Sequence, residues 1–221
     1  MAGRRVFVDV DVQRDFCEPT GALFVPGSPN ASFRELTRYA VEHRIPILGS
    51  VDSHAWDAWE FASSETPAPA GQKPNFPDHC VKGTSGWLKL DGTLPPRFRF
   101  LPNVQDAPID SVVRELAGSA TQGVYFEKEV YSLFANPLAE RFLKALFATF
   151  AEPPELFVYG VATDYCVKAA ALGLRECGYA TTLITDAVAG ITKEGSEAAL
   201  REMADAGVRT TTIASLTGAR S

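Results

Sequence analysis

Paired cysteines, surplus positive charge and long apolar runs are all missing from this 221-residue sequence. The four cysteines, Cys17, Cys80, Cys166 and Cys177, form no C-x-x-C pair and are too few to staple a small scaffold, so a reduced, cytoplasmic setting is expected. Asp and Glu outnumber Lys and Arg by 27 to 21, and the resulting net charge of −6 argues against a nucleic-acid or anionic-membrane partner. No apolar stretch exceeds strand length, and no N-terminal segment reads as a signal peptide. What is present is 46% hydrophobic residues, enough for one domain over 1–221 with a well-formed core.

Strand and helix patterns alternate along the chain. Residues 6–10, 45–51, 124–126, 156–161, 180–184 and 208–213 read as strands, and 32–43, 109–116, 137–150, 163–176 and 194–204 read as helices. Ser32 and Glu35 are spaced as a capping box for the first helix, and Gly178 stops the one before 180. Six strands separated by helical or long connections imply an α/β fold with a mostly parallel sheet and helices on both faces. The stretch 52–103 is rich in Pro, Gly and aromatics with little periodicity, and a structureless segment of that length suggests a functional loop.

In open α/β sheets ligands bind at the carboxyl ends of the strands. Asp11, then Asp52 with His54, then Lys128, then Cys166 each follow a different strand, so four strands deliver ionisable groups to one edge. Cys166 falls in the first turn of a helix, where the dipole and unpaired N–H groups favour a thiolate. Asp11 would accept its proton, and Lys128 would hold charge on Asp11 or on a developing intermediate. A buried cysteine beside a sheet-edge ion pair would give the same pattern. The second group is Asp52, His54, Glu60 and His79. Two of the three histidines lie in this one loop, and Asp-x-His on an extended segment places both side chains on one side. Such a set suits Zn²⁺, Mn²⁺ or Fe²⁺, while a turn-capping Asp52 with two surface histidines is the plainer alternative. Structural readings are assigned to His43 at a helix end, Cys177 in the core, Asp15 in a turn or salt bridge, Asp164 as a helix cap and Asp186 at a strand end. Cys17 and Cys80 lack the helix-start placement of Cys166. Trp56, Trp59 and Phe61 either wall a pocket or pack the loop down.

Val10-Asp11-Val12-Gln13-Arg14-Asp15-Phe16 resembles the D-x-Q-x-D-F signature of the isochorismatase-like cysteine hydrolases. Phe76-Pro77-Asp78-His79-Cys80-Val81-Lys82-Gly83-Thr84 resembles the W-P-x-H-C-V-x-G-T segment of the nicotinamidases (pyrazinamidases) within them, with Phe76 where Trp is common. Gly160-Val161-Ala162-Thr163-Asp164-Tyr165-Cys166-Val167 is similar to their G-x-A-T-D-x-C-V nucleophile segment. The matches run in chain order from about residue 6 to residue 190. The resemblance implies a three-layer αβα fold and hydrolysis of nicotinamide, with pyrazinamide as a second small amide, to the acid and ammonia in NAD salvage. It maps Asp11, Lys128 and Cys166 onto a catalytic triad and Asp52, His54 and His79 onto ligands of one divalent metal, zinc first with manganese or iron as alternatives. It also implies a cis peptide at Val161–Ala162, an oxyanion hole from the backbone N–H groups of Ala162 and Cys166, and Phe16 and Phe76 as packing partners of the substrate ring.

Two departures stand out. Glu60 occupies the place of a third histidine in the D-x-H-x5-H pattern, as in some members that use a glutamate ligand, and the immediate neighbours of Lys128 differ from the common pattern. Vinyl-ether isochorismatases tend to lack both the cysteine and the metal ligands, and other small-amide hydrolases of the superfamily lack the metal set. A silent binding module has only Glu60 in its favour. The sequence leaves open a homo-oligomer, and whether 92–105 covers the pocket or makes a subunit contact.

Overall fold

The computed structural model describes residues 4–218. Its strands are β1 (Arg5–Val10), β2 (Ile47–Asp52), β3 (Phe98–Leu101), β4 (Gly123–Lys128), β5 (Glu155–Val161), β6 (Ala180–Ala189) and β7 (Arg209–Thr211). They form one parallel sheet in the order β3-β4-β2-β1-β5-β6-β7. The helices are α1 (Arg14–Cys17), α2 (Asn30–Glu42), α3 (Asp110–Ala117), α4 (Ala139–Phe147), α5 (Lys168–Glu176), α6 (Lys193–Asp205) and α7 (Ile213–Thr217). The chain enters at β1 in the middle, builds outward through β2 and β4, then crosses back to build outward from β5. The strand order therefore reverses around β1, and a crevice is expected at its carboxyl end.

Strand side chains alternate between faces, and this alternation sorts the core into two layers. Val6, Val8 and Val10 of β1 join Leu48, Val124, Phe126, Leu156 and Val158 beneath α3, α4, α5 and α6. Phe7, Ile47, Tyr125, Phe157 and Tyr159 point the other way, against α2 and α7. The result is the three-layer αβα arrangement. Among the described residues, no helix is long and apolar enough to cross a membrane.

The sheet has seven strands where the sequence suggests six. The extra strand, β3, lies inside 52–103 and also within 92–105. It is a four-residue edge strand, mostly half-exposed and preceded by Pro95 and Pro96, and its Phe98-Arg99-Phe100 alternation is too short to stand out. Helix α2 begins at Asn30 rather than Ser32, so Ser32 and Glu35 lie inside the helix and the cap position, Pro29, has no side-chain cap. Strand β6 runs on to Ala189, five residues past 184. The segment 208–213 is divided, because the Thr212 hydroxyl accepts from the Ser215 N–H and starts α7.

One polar pair interrupts the second apolar layer. Lys89 Nζ lies 2.6 Å from Asp9 Oδ1, with both side chains almost fully buried, and 5.0 Å over the Tyr125 ring. Asp9 Oδ2 has no hydrogen-bond partner, and burial raises the Asp9 pKa despite the ammonium beside it. Removing one member of a buried pair leaves an uncompensated charge. Lys89→Met is therefore expected to lower the unfolding free energy by about 3–5 kcal/mol in urea titration, with the Asp9→Leu/Lys89→Met double variant closer to the parent. A double variant as unstable as the single one would show that packing, not charge, governs this position.

Candidate active site

Strand β1 stops because Asp11 turns into the left-handed region at φ 51°, just after Val10 pairs with Ser50 of β2 and Gly160 of β5. Gly160 is required there, since a Cβ at its φ of 131° would overlap the Val10 backbone. Asp52 and Lys128 are register partners on β2 and β4, which sets their side chains beside each other. Lys128 is fully buried. Its ammonium donates to Asp52 Oδ1 and lies 2.8 Å from Asp11 Oδ2 and 3.7 Å from Cys166 Sγ. Ser50 Oγ donates to Asp11 Oδ1 at 2.7 Å. The Asp11 carboxylate thus pairs with Lys128 through Oδ2 and accepts from Ser50 through Oδ1.

One ammonium among three acidic groups cannot serve all of them equally. Burial disfavours the Lys128 cation, but Asp11, Asp52 and the Cys166 sulfur reverse this and hold its pKa well above that of an ordinary lysine. Burial pushes Asp52 up too, yet Lys128 and the imidazoles of His54 and His79 outweigh it and place this carboxyl well below the usual range. For Asp11 burial wins over Lys128, and its pKa is raised. Carboxyls driven apart in this way suit different tasks, the raised one proton transfer and the lowered one permanent charge. Cys166 departs from expectation. Its turn, Thr163–Val167, is a π turn ahead of α5 rather than a regular helix start, and burial raises the thiol pKa well above normal despite Lys128. The helix-start benefit is outweighed by desolvation, so the resting group is a thiol.

Beside this set lies the second. The donor atoms of Asp52, His54 and His79 lie within 4.8 Å of one another. Asp52 Oδ2 is 3.8 Å from both His54 Nε2 and His79 Nε2. Glu60 Oε1 is 3.2 Å from His54 Nε2 and 3.6 Å from His79 Nε2. His79 Nδ1 lies 2.8 Å from the Pro77 carbonyl, which fixes this nitrogen as the donor and leaves Nε2 as a lone-pair ligand. His54 is buried, and neither of its ring nitrogens has a hydrogen-bond partner. A buried orphan imidazole facing two carboxylates and a second imidazole fits a divalent cation with borderline preferences.

Both sets open on one pocket, about 370 Å³ counting the space open to solvent, whose lining includes Asp52, Glu60, His79, Ala162 and Cys166. The Val161–Ala162 peptide is cis. Phe16 and Phe76 also line the pocket, their rings 5.5 and 5.9 Å from that of His79. Sequence reasoning passed over Tyr131 and Tyr165, whose rings lie 5.2 Å apart and stand against Phe76. Their signal was adjacency, since one neighbours Cys166 and the other follows Lys128 by three.

Phe61 packs edge-on against His54 at 5.2 Å, whereas Trp56 is 79% exposed and does not line this pocket. Cys177 is half-exposed rather than in the core. Asp164 does not cap its own helix. It accepts from the Ile191 and Thr192 N–H groups and ties down the turn before α6. Asp186 accepts from the Ile213 N–H, and His43 lies on the surface stacked on Tyr39, away from the pocket.

The isochorismatase domain family matches residues 5–215. The nicotinamidase/pyrazinamidase of Mycobacterium tuberculosis is 30% identical over 208 residues, covering 92% of this chain and 96% of that protein. The Escherichia coli nicotinamidase is 28% identical over 222 residues, covering 95% of each. Among solved structures, the pyrazinamidase of Pyrococcus horikoshii in complex with zinc matches with a TM-score of 0.70 at 27% identity, over 95% of this chain and 99% of that one.

A raised thiol pKa has a direct readout. Only the thiolate is alkylated, so in metal-free protein the modification of the Cys166 peptide by iodoacetamide should be slow at neutral pH. It should then rise roughly tenfold per pH unit into the alkaline range, levelling above the value for a free thiol. A rate already level near neutral pH would contradict the electrostatics of the site.

Proposed function

Since the chain belongs to the isochorismatase family, we propose that it is a nicotinamidase, hydrolysing nicotinamide to nicotinate and ammonia as a cytoplasmic enzyme of NAD salvage. The observation that carries this reading is Asp52, whose Oδ1 meets Lys128 of the nucleophile set and whose Oδ2 faces the two imidazoles. Its relatives include proteins named nicotinamidase, and the same pocket holds both sets. We read 1–221 as one hydrolase domain in which the 52–103 segment supplies the metal ligands.

Asp11 takes the proton of Cys166 as the sulfur attacks the carboxamide carbon, forming the C–S bond and placing negative charge on the former carbonyl oxygen. The backbone N–H groups of Ala162 and Cys166 donate to that oxygen, and Lys128 offsets the accumulated negative charge. Collapse of the intermediate breaks the C–N bond, and the proton held on Asp11 leaves with the nitrogen as ammonia. Asp11 then takes a proton from the water that attacks the thioester, and cleavage of the C–S bond returns that proton to Cys166. Phe16 and Phe76 pack the flat ring. A divalent cation held by Asp52, His54 and His79, with Glu60 beside them, would supply a Lewis-acidic anchor for the ring nitrogen. That anchor is what favours nicotinamide or pyrazinamide over a small amide without a ring nitrogen.

Purified protein should release ammonia from nicotinamide, lose activity on chelation and regain it with zinc, manganese or iron. Benzamide, which lacks the ring nitrogen, should turn over at least about tenfold less well. Cys166→Ala should abolish turnover with metal content near that of the parent. Substantial activity in that variant would exclude the covalent route, and no ammonia with any divalent metal would exclude nicotinamide as substrate.

A further inference from the structure

We propose that Gln13 and Asp15, on the turn that leaves β1, are positioning residues that set the geometry of the metal ligands without touching the ion. The inference rests on the reading of Asp52, His54 and His79 as ligands. Backbone pairing of β1 with β2 ends at Val10 and Ser50, because Asp11 swings away, and this leaves the next inward-facing peptide groups of β2 without a strand partner. The buried Gln13 amide takes that place. Its Oε1 accepts the Asp52 N–H at 2.8 Å, and its Nε2 donates to the Asp52 carbonyl at 2.8 Å. The same Nε2 donates to the Trp87 carbonyl at 2.8 Å, tying β2 to the long loop. Asp52 is thus held by its own backbone on both sides, leaving its carboxylate free to divide between Lys128 and the imidazoles.

Asp15 does the same for the histidines through Cys80. Its Oδ2 accepts the Cys80 N–H at 2.7 Å, and its Oδ1 accepts the Ala22 N–H at 3.0 Å. Cys80 sits at φ 46°, a left-handed conformation that a non-glycine residue adopts only when its surroundings fix it. Cys80 directly follows His79, and its carbonyl accepts the His54 N–H at 3.1 Å. One carboxylate therefore holds the residue, Cys80, that links the two histidines. Gly86 packs so closely on this carboxylate that any Cβ there would overlap it, so the position of Asp15 is enforced from behind. A five-residue turn supplies the base, Asp11, and the supports of all three ligands.

Outer-shell partners of this kind are generally worth about 10–100-fold in metal affinity. The dissociation constant of Zn²⁺ should be measured by competition with a chromogenic chelator for the parent, Gln13→Met, Asp15→Asn and Arg14→Ala. Thermal melting of each metal-free protein should be recorded alongside. Arg14 shares the turn but pairs with Asp91 at the surface, so it serves as the control. The expected result is affinity weakened tenfold or more in Gln13→Met and Asp15→Asn and unchanged in Arg14→Ala. Should Gln13→Met fail to fold, Asp15→Asn tests the inference alone, since Asn keeps the size and one acceptor. Parent protein that binds no zinc would overturn the ligand reading itself. Tight binding by the parent and both variants, whatever happens to their melting temperatures, would overturn only the positioning roles, as would an equal loss in Arg14→Ala.

Discussion

The ammonium of Lys128, sealed between the carboxylates of Asp11 and Asp52, is the contact around which the rest of the site is arranged. A lysine fully out of water survives as a cation only where nearby negative charge offsets its desolvation, and here the two carboxylates provide it. The dependence runs both ways. Without Lys128, Asp11 would be a buried anion with no cation of its own, which burial would drive to protonate, and Asp52 would keep only the imidazoles of His54 and His79. Because Asp52 uses one oxygen for Lys128 and turns the other toward His54 and His79, the nucleophile set cannot shift without moving the ligand set. A single ammonium thereby couples the register of the proposed substrate anchor to the position of the proposed nucleophile, Cys166.

Topology explains why these residues meet. Strand order reverses around β1, so the connections leaving β2 and β5 diverge to opposite faces and open a crevice above the end of β1. Asp11 lies at the base of that crevice, Asp52 and Lys128 on one flank and Cys166 on the other. Register supplies the finer placement, since Val10 faces Ser50 on one side and Gly160 on the other, and Asp52 faces Lys128. The glycine at 160 lets β5 close against Val10, which draws the nucleophile turn toward Asp11.

Much of this was legible in the sequence because it depends on local pattern. The central strands are continuous apolar runs, and each ionisable residue follows one of them directly, so the sheet edge and its polar residues could be read without coordinates. Strand β3 escaped because its Phe98-Arg99-Phe100 alternation is only a few residues long and sits at a half-exposed edge inside a Pro-rich stretch. The raised pKa of Cys166 was not legible for a different reason. A helix start favours the thiolate locally, whereas the burial that opposes it comes from segments remote in sequence. Gln13 and Asp15 stood in plain view inside a motif, but their partners Asp52 and Cys80 lie 39 and 65 residues away, and only folding brings them together.

The long segment after β2 illustrates what replaces regular secondary structure when a loop must hold ligands. It contributes His54, Glu60 and His79, yet its ladder pairing is confined to isolated bridges and the edge strand. Side chains from β1 and the following turn do the anchoring: Asp9 through Lys89, Gln13 through Trp87, Asp15 through Cys80. Asp9 and Gln13 are buried polar groups in a dry setting, where a hydrogen bond or ion pair is strong and its loss is costly, and Asp15 is half-buried. A loop fixed in this way is rigid at its few tethered points and free to vary between them. That is the arrangement a binding segment needs, because ligand atoms tolerate little displacement while the connecting backbone has no catalytic task. It follows that the geometry of the proposed site is set as much by Asp9, Gln13 and Asp15 as by the residues that line the pocket.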